Sequence, residues 1–204
     1  MVEAHRGRHP VTARDEILAA VRAAVAPARR PVDVPALDRP EREPDVDLFA
    51  ERVADYRATV VRCAPDGVDA AIAAALPDGA SVVVPEGMPY AVPGAVTDAA
   101  LTPTELDAVT AVVTTATVAI ASTGTIVLSH GPGEGRRVLT LVPDLHVCVV
   151  RAGQVVDDVP AAVRRLDPSR PTTWISGPSA TSDIELNRVE GVHGPRTLHV
   201  VLVG

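Results

Sequence analysis

The feature of this sequence that most restricts its fold is the shortness of its apolar runs, which Pro, Gly or charged residues interrupt repeatedly. The run at residues 81–85, SVVVP, is continuous and β-branched, as is typical of a strand covered on both faces in a parallel sheet. Further strand-like runs occupy residues 118–121, 125–129, 137–142, 146–151, 173–176 and 197–203. All are far shorter than the roughly 20 residues of a membrane helix, so the sequence predicts short strands in a soluble protein.

Helical patterns alternate with these runs. Residues 12–26 place Ile17, Leu18, Val21 and Val25 on one helical face, which predicts an N-terminal helix that ends at Pro27. The sequence from Thr102 to Glu105 (TPTE) has the pattern of a capping box with Pro at the first helical position.

Three further helices are predicted, at residues 48–63, 65–76 and 159–166. The first two are expected to precede the first strand, with Asp66 as the cap of the second. This alternation predicts an α/β fold with a mixed, largely parallel sheet flanked by helices.

The chain divides into two parts by composition. Residues 27–47 are rich in Pro and charge and show no sustained period, so residues 1–47 are interpreted as an N-terminal helix and a Pro-rich arm. Residues 48–204 are interpreted as one α/β domain, since 204 residues suffice for one sizeable core.

Composition excludes several classes of function. A net charge of -7 and 2% aromatic residues do not fit a nucleic-acid-binding protein. The 19 basic residues are all Arg, so Schiff-base and P-loop lysine chemistry are absent. Two cysteines are too few for an iron–sulfur cluster or a four-thiolate zinc site held by this chain alone, and no HExxH or CxxC motif predicts a metal site.

The first residues lack the apolar stretch of a secretory signal, which predicts a cytoplasmic location without membrane attachment.

Three loops of small residues follow or join predicted strands, where ligands bind in open α/β sheets. They are residues 122–125 (STGT), 176–179 (SGPS) and 191–195 (GVHGP). If they converge, the pocket holds hydroxyls and amides together with the carboxylates of Asp183 and Glu185 and the imidazole of His193. Such a set could bind a small anion while one of these three candidate catalytic residues moves a proton.

Structural roles remain open for the same residues. Residues 176–185 could form a turn and a helix cap without a ligand, and Gly124 could serve only close packing at a strand entry. His193 and His146 could be hydrogen-bonded structural histidines. The glycine-rich stretch GPGEGRR at residues 131–137 is not a dinucleotide fingerprint, because it enters a strand-like run and not a helix, and the flanking His130 and Glu134 are expected to be solvated.

Four motifs resemble the LUD-domain (DUF162) family, and within it the lactate-utilisation protein C, or YkgG-like, group. They are ASTGTIVL at 121–128, VPDLHVCVV at 142–150, SGPSATSDIE at 176–185 and GVHGPRTLHVVLV at 191–203. With the loops, they give as candidate ligand-binding residues Thr123, Gly124, Thr125, His146, Ser176, Gly177, Pro178, Ser179, Thr181, Gly191 and Gly194.

The resemblance implies a fold similar to the NagB/RpiA/CoA-transferase-like superfamily. It also implies a role with iron–sulfur partner proteins in oxidising L-lactate to pyruvate, with the clusters in those partners and no cofactor on this chain. One position departs from the family, whose members often carry Glu where this chain has Ser122. A hydroxyl does not replace a carboxylate at neutral pH, so the departure argues against covalent catalysis of the CoA-transferase type.

Three hypotheses about function follow. The first is an accessory subunit of a lactate-oxidising system that binds a small carboxylate or phosphorylated ligand. The second is a stand-alone enzyme acting on a sugar phosphate or an acyl thioester, with Asp183, Glu185 or His193 as acid or base. The third is a non-catalytic interaction protein whose Pro-rich arm docks on a partner or on a second copy in a homo-oligomer.

Overall fold

The computed structural model describes residues 12–26, 42–181, 189–190 and 194–204. Its α-helices are α1 (Ala13–Val25), α2 (Val46–Asp55), α3 (Val68–Ala75), α4 (Pro103–Asp107) and α5 (Val159–Arg165). Its strands are β1 (Thr59–Cys63), β2 (Val82–Val84), β3 (Val96–Thr97), β4 (Ala111–Thr115), β5 (Val118–Ile120), β6 (Thr125–Leu128), β7 (Leu145–Arg151), β8 (Val155–Val156), β9 (Thr173–Ile175), β10 (Ala180–Thr181), β11 (Val189–Glu190) and β12 (Thr197–Val203).

The chain separates into two compact units, Met1–Asp38 and Arg39–Gly204. In the first unit, α1 begins at a capping box in which Thr12 and Asp15 bond each other's backbone N–H groups, as the predicted N-terminal helix requires. Most of the Pro-rich arm lies outside the described residues. The domain boundary at residue 47 stays a prediction.

The second unit is built on a six-stranded sheet in the order β1-β12-β7-β4-β2-β3. All of its pairs are parallel, which confirms the prediction of a largely parallel sheet flanked by helices. Helix α3 covers one face through Val68 and Ile72, and α2 covers the other through Phe49 and Val53. Burial on both faces explains why the inner strands β12, β7, β4 and β2 are largely apolar runs, whereas the edge strands β1 and β3 are more exposed.

A second sheet, with the order β8-β5-β6-β9, packs on the face that α2 covers. One sheet was expected from the sequence. However, β4 ends at Thr115 and β5 begins at Val118, so this short connection cannot bring β5 back to lie parallel beside β4. Parallel neighbours need a crossover of about a dozen residues or more, whereas antiparallel ones need only a tight turn. Strand β5 therefore leaves the main sheet and pairs antiparallel with β6, and β6 pairs antiparallel with β9.

Two predicted elements were wrong in type. Residues 59–63 belong to strand β1 and not to a helix, because β1 pairs in parallel with β12 from the far end of the chain. Residues 137–140 form a 3-10 helix and not a strand, because Leu139 turns into a core cluster with Val83, Leu106 and Val112. Asp66 caps no helix, since neither the 3-10 turn Pro65–Gly67 nor α3 has a side-chain cap. Strand β4 was not predicted at all.

Candidate functional site

Two of the three predicted loops meet at the hairpin between β5 and β6. The antiparallel pairing of Ile126 with Ile175 places the start of β6 beside the residue that follows β9. The Oγ1 of Thr125 consequently lies 2.8 Å from the Oγ of Ser176, and 2.8 Å from the Oγ1 of Thr123 on its other side. These three residues form a continuous row of hydroxyls, which we call the hydroxyl row.

The third loop reaches the second one through its described residues. The backbone N–H of Ser179 donates to the carbonyl oxygen of Pro195 at 2.8 Å. A Cβ atom added to Gly194 would lie 3.4 Å from the Cβ of Ser179. The three loops thus form one connected region, with Pro178 between Gly177 and Ser179 in the middle loop.

The three candidate catalytic residues of the predicted site are not among the described residues. Asp183, Glu185, Gly191 and His193 lie outside the described residues, and Thr181 is described only as part of the short strand β10. Their catalytic and ligand-binding roles stay predictions.

Two glycines of the predicted site are required by packing. Gly124 has φ +61°, and a Cβ added there would lie 2.7 Å from the carbonyl carbon of Arg52 in α2. Gly177 has φ +82°, and its Cβ would lie 2.5 Å from the Cβ of Tyr56, just after α2. Both values are far inside van der Waals contact, so these glycines let α2 pack directly on the loops. The proposed contact of Thr123, Gly124 and Thr125 with an anion stays a prediction beside this structural role.

His146 lies inside the main sheet. It lies on β7 with 1% of its surface exposed, and its Nε2 is 2.8 Å from the Oγ1 of Thr114 on the neighbouring β4. Burial disfavours the charged imidazolium and lowers the pKa of His146 to about 4. Burial and the contact with Thr114 are what a structural histidine would show, and the ligand-binding role of His146 stays a prediction.

This buried histidine gives a testable pH dependence. Its pKa is about 4 in the folded chain against 6.5 for the unperturbed group, so between these values the unfolded chain binds more protons. The stabilising effect of a neutral His146 is fully present above pH 6.5 and is lost as pH falls toward 4. We expect the free energy of unfolding to fall by about 2 kcal/mol between pH 7 and pH 5 from this group alone.

Urea denaturation at the two pH values measures the effect. His146→Gln keeps a hydrogen-bonding side chain but cannot titrate, so its loss of stability over the same pH interval should be smaller by about 2 kcal/mol. An equal loss in both proteins would show that His146 does not carry the pH dependence.

A second polar region, missed from the sequence, lies beyond the carboxyl ends of β2, β3 and β6. It is a cavity of about 670 Å³, lined by residues 85–87, 130–132 and 135–136 with Asp98, Ala100 and Arg170. We call it the strand-end cavity. The only sequence signal for it was the glycine-rich stretch 131–137, which was rejected as a nucleotide fingerprint but builds the cavity wall.

The wall of the strand-end cavity is held by two side chains that were expected to be solvated. Glu134 is only 6% exposed and accepts hydrogen bonds from the Oγ1 of Thr117 at 2.6 Å and the backbone N–H of Ser129 at 2.5 Å. The Nδ1–H of His130 donates to the carbonyl oxygen of Gly135 at 2.8 Å, and its Nε2 lies 3.0 Å from the Oγ1 of Thr173. The expectation was wrong for Glu134, which the turn buries against the end of β6, whereas His130 is half-buried and hydrogen-bonded at the cavity wall.

The described residues place limits on two other kinds of site. Among them, no helix is long and apolar enough to cross a membrane. Across the same parts of the chain, no group of three or more His, Cys, Asp or Glu residues is placed to hold a metal ion.

Comparison with known proteins gives consistent similarities. The LUD domain family matches residues 96–203. Lactate utilization protein C of Deinococcus radiodurans is 43% identical over 94% of this chain and 96% of its own length. Lactate utilization protein C of Halalkalibacterium halodurans is 34% identical over 44% of this chain and 43% of its own length.

A solved structure is also similar. The crystal structure of a DUF162 family protein from Deinococcus radiodurans has a TM-score of 0.67 and 38% sequence identity, and the match covers 78% of this chain and 95% of the other.

Proposed function

This chain belongs to the LUD-domain family, and from that premise we propose that it is an accessory subunit of an iron–sulfur-dependent system that oxidises L-lactate to pyruvate. Its relatives named lactate utilization protein C support a role in lactate utilisation. The observation that carries the proposal is the match to one such relative along nearly the whole length of both chains.

We place the redox centres in partner proteins. A cluster bound by this chain alone would need more thiolates than its two cysteines supply. Cys148 is fully buried, and burial raises the pKa of its thiol to about 12, so it is not a thiolate at neutral pH. Burial, followed by the charge of Asp66, also raises the pKa of Cys63.

The part that we assign to this chain is binding of a small carboxylate or phosphorylated ligand where the three loops meet. The hydroxyl row supplies donors and acceptors there, and Asp183, Glu185 and His193 would add charge and proton transfer. Ser122 is exposed on the same hairpin and offers a hydroxyl where the family resemblance implies a carboxylate. This favours binding over covalent transfer to the protein.

The physiological role is tested by deleting the gene. We expect the deletion strain to lose growth on L-lactate as sole carbon source and to keep normal growth on pyruvate, because pyruvate enters metabolism after the proposed step. A plasmid copy of the gene should restore growth. Unchanged growth of the deletion strain on L-lactate would contradict the proposal.

Variants in the same strain test the loop site. Asp183→Ala and His193→Ala should restore growth on L-lactate poorly, whereas Asp107→Ala, an exposed acid at the end of α4, should restore it fully. If all three variants restored growth on L-lactate equally, the proposed ligand site at the three loops would be contradicted. Turnover of acyl-CoA or sugar phosphates by the purified wild-type chain, lost in Asp183→Ala, would favour the stand-alone enzyme.

A further inference from the structure

We propose that the strand-end cavity binds a small hydroxylated molecule through its carboxylate or phosphate group, with Arg136 and Arg170 as the donors. This assignment goes beyond the proposed function, because the cavity lies at the opposite end of β6 from the hydroxyl row. The hydroxyl row contains Thr125, the first residue of β6, whereas His130, which lines the cavity, follows the last residue of β6.

Position and size both suit a ligand site. The cavity lies beyond the carboxyl ends of the parallel strands β2 and β3, where open α/β sheets bind their ligands. Its volume of about 670 Å³ falls within the roughly 300–1,000 Å³ of small-molecule pockets. Ala100 and His130 line it with φ of 66° and 58°, and residues other than glycine in this conformation are concentrated at functional sites.

Arg136 is held in place before any ligand arrives. Its Nε and Nη2 each donate to a carboxylate oxygen of Asp98 at 2.7 Å, and Nη2 also donates to the carbonyl oxygen of Leu101 at 2.9 Å. This leaves the two N–H groups of Nη1 for another acceptor. Because the guanidinium is already ordered, little side-chain entropy is lost when an oxyanion binds to it.

Arg170 supplies the second cationic group. Its Nη2 lies 3.4 Å from the position that a Cβ on Gly131 would occupy, so the guanidinium rests against the cavity wall. Within the described residues, this guanidinium forms no hydrogen bond and no ion pair. Hydrogen bonds from Ser169 lower the pKa of Asp167, and the charge of Arg170 adds a smaller effect in the same direction. Its donors are therefore available to a ligand.

Three backbone N–H groups of the glycine-rich loop already have partners within the protein. The N–H of Gly133 donates to the carbonyl oxygen of Glu86 at 2.8 Å, and those of Glu134 and Gly135 donate to that of Gly131 at 3.0 and 3.1 Å. These three N–H groups are not available to an oxyanion, whereas guanidinium groups match the geometry of carboxylates and phosphates.

The carboxylate of Glu86 restricts which ligands the cavity can bind. It lines the cavity and is exposed, and it would repel a ligand that carried only negative charge. A hydroxyl group can instead donate to it. Two acidic and two basic side chains line the cavity, which suits a hydroxylated molecule with one anionic group over a polyanion.

The test is isothermal titration of the purified full chain with L-lactate and, separately, with D-ribose 5-phosphate. We expect saturable binding of at least one, with a Kd raised about tenfold or more in Arg170→Ala, since a charged hydrogen-bonding group is lost. Arg137→Ala is the matched control, because this exposed neighbour of Arg136 does not line the cavity and should leave the Kd unchanged.

Saturation by lactate identifies a hydroxycarboxylate site, and saturation by ribose 5-phosphate identifies a sugar phosphate site. Absence of saturation by both probes up to about 10 mM, a range that covers even weak specific binding, would overturn the proposal. So would an equal Kd in the Arg170→Ala and Arg137→Ala proteins. Arg170 is exposed, so thermal unfolding of its variant should match that of the wild type and exclude a folding defect.

Discussion

Gly124→Ala should lower the free energy of unfolding by about 3 kcal/mol, through left-handed backbone strain and overpacking together. The φ of +61° is unfavourable for any residue with a Cβ. The added methyl group would also lie 2.7 to 2.8 Å from backbone atoms of Arg52 and Val53, and the helical backbone of α2 cannot move aside as a flexible side chain would. Urea denaturation of both proteins measures the difference.

Gly79→Ala is the control that separates the two causes. Gly79 has a similar φ of +71°, but no atom lies within 4 Å of its added Cβ. We expect this variant to lose only about 1 kcal/mol, which is the cost of the left-handed conformation alone. If both variants lost the same stability, α2 would not be packed against the hairpin as the structure shows.

Glu134→Ala should destabilise the chain by a similar amount, about 3 kcal/mol, because it removes a buried carboxylate that accepts two hydrogen bonds. The hydroxyl of Thr117 and the backbone N–H of Ser129 would lose their contacts to the carboxylate. The N–H of Ser129 would keep only its 3.1 Å contact to the Oγ1 of Thr117. Thermal or urea unfolding gives the loss directly.

Glu134→Gln is the matched variant for this prediction. Its carbonyl oxygen can still accept from Ser129 while its amide group donates to the hydroxyl of Thr117, so we expect a loss of only about 1 kcal/mol. A loss in Glu134→Gln as large as that in Glu134→Ala would mean that the negative charge, and not the hydrogen bonding, holds this turn.

Glu134→Ala and Gly124→Ala are expected to affect different parts of the protein. Residue 134 lies in the turn between Gly133 and Gly135, and the second of these lines the strand-end cavity. Loss of the Glu134 contacts should therefore loosen the cavity wall, whereas Gly124→Ala acts at the other end of β6, beside the hydroxyl row.

Several elements could be predicted because their signals are local. The capping box at Thr102 and Glu105 is complete within four residues, and the structure shows both of its hydrogen bonds. The short β-branched runs at β2, β5, β6 and β12 are strands as predicted. Such signals depend on the backbone and on side chains a few residues away, so they can be recognised without knowledge of the rest of the fold.

The convergence of the loops could be predicted only in part. The rule that ligands gather at strand ends indicated that residues 122–125 and 176–179 belong together, and the contact of Thr125 with Ser176 agrees. The rule did not reveal that Gly124 and Gly177 are packed under α2. That depends on where a distant helix lies, which no local pattern encodes.

The sequence by itself determined the fold class, the helix starts with strong caps and six of the twelve strands in the described residues, because these follow from local hydrogen bonding and the spacing of apolar residues. Only the tertiary structure decided that residues 59–63 form an edge strand, with Thr59 opposite His199, and that β5 leaves the main sheet. It alone also buried Glu134 and joined Asp98 to Arg136 at the strand-end cavity. The physical reason is that these features depend on hydrogen bonds and packing between residues far apart in the chain, whose partners become known only when the fold is complete.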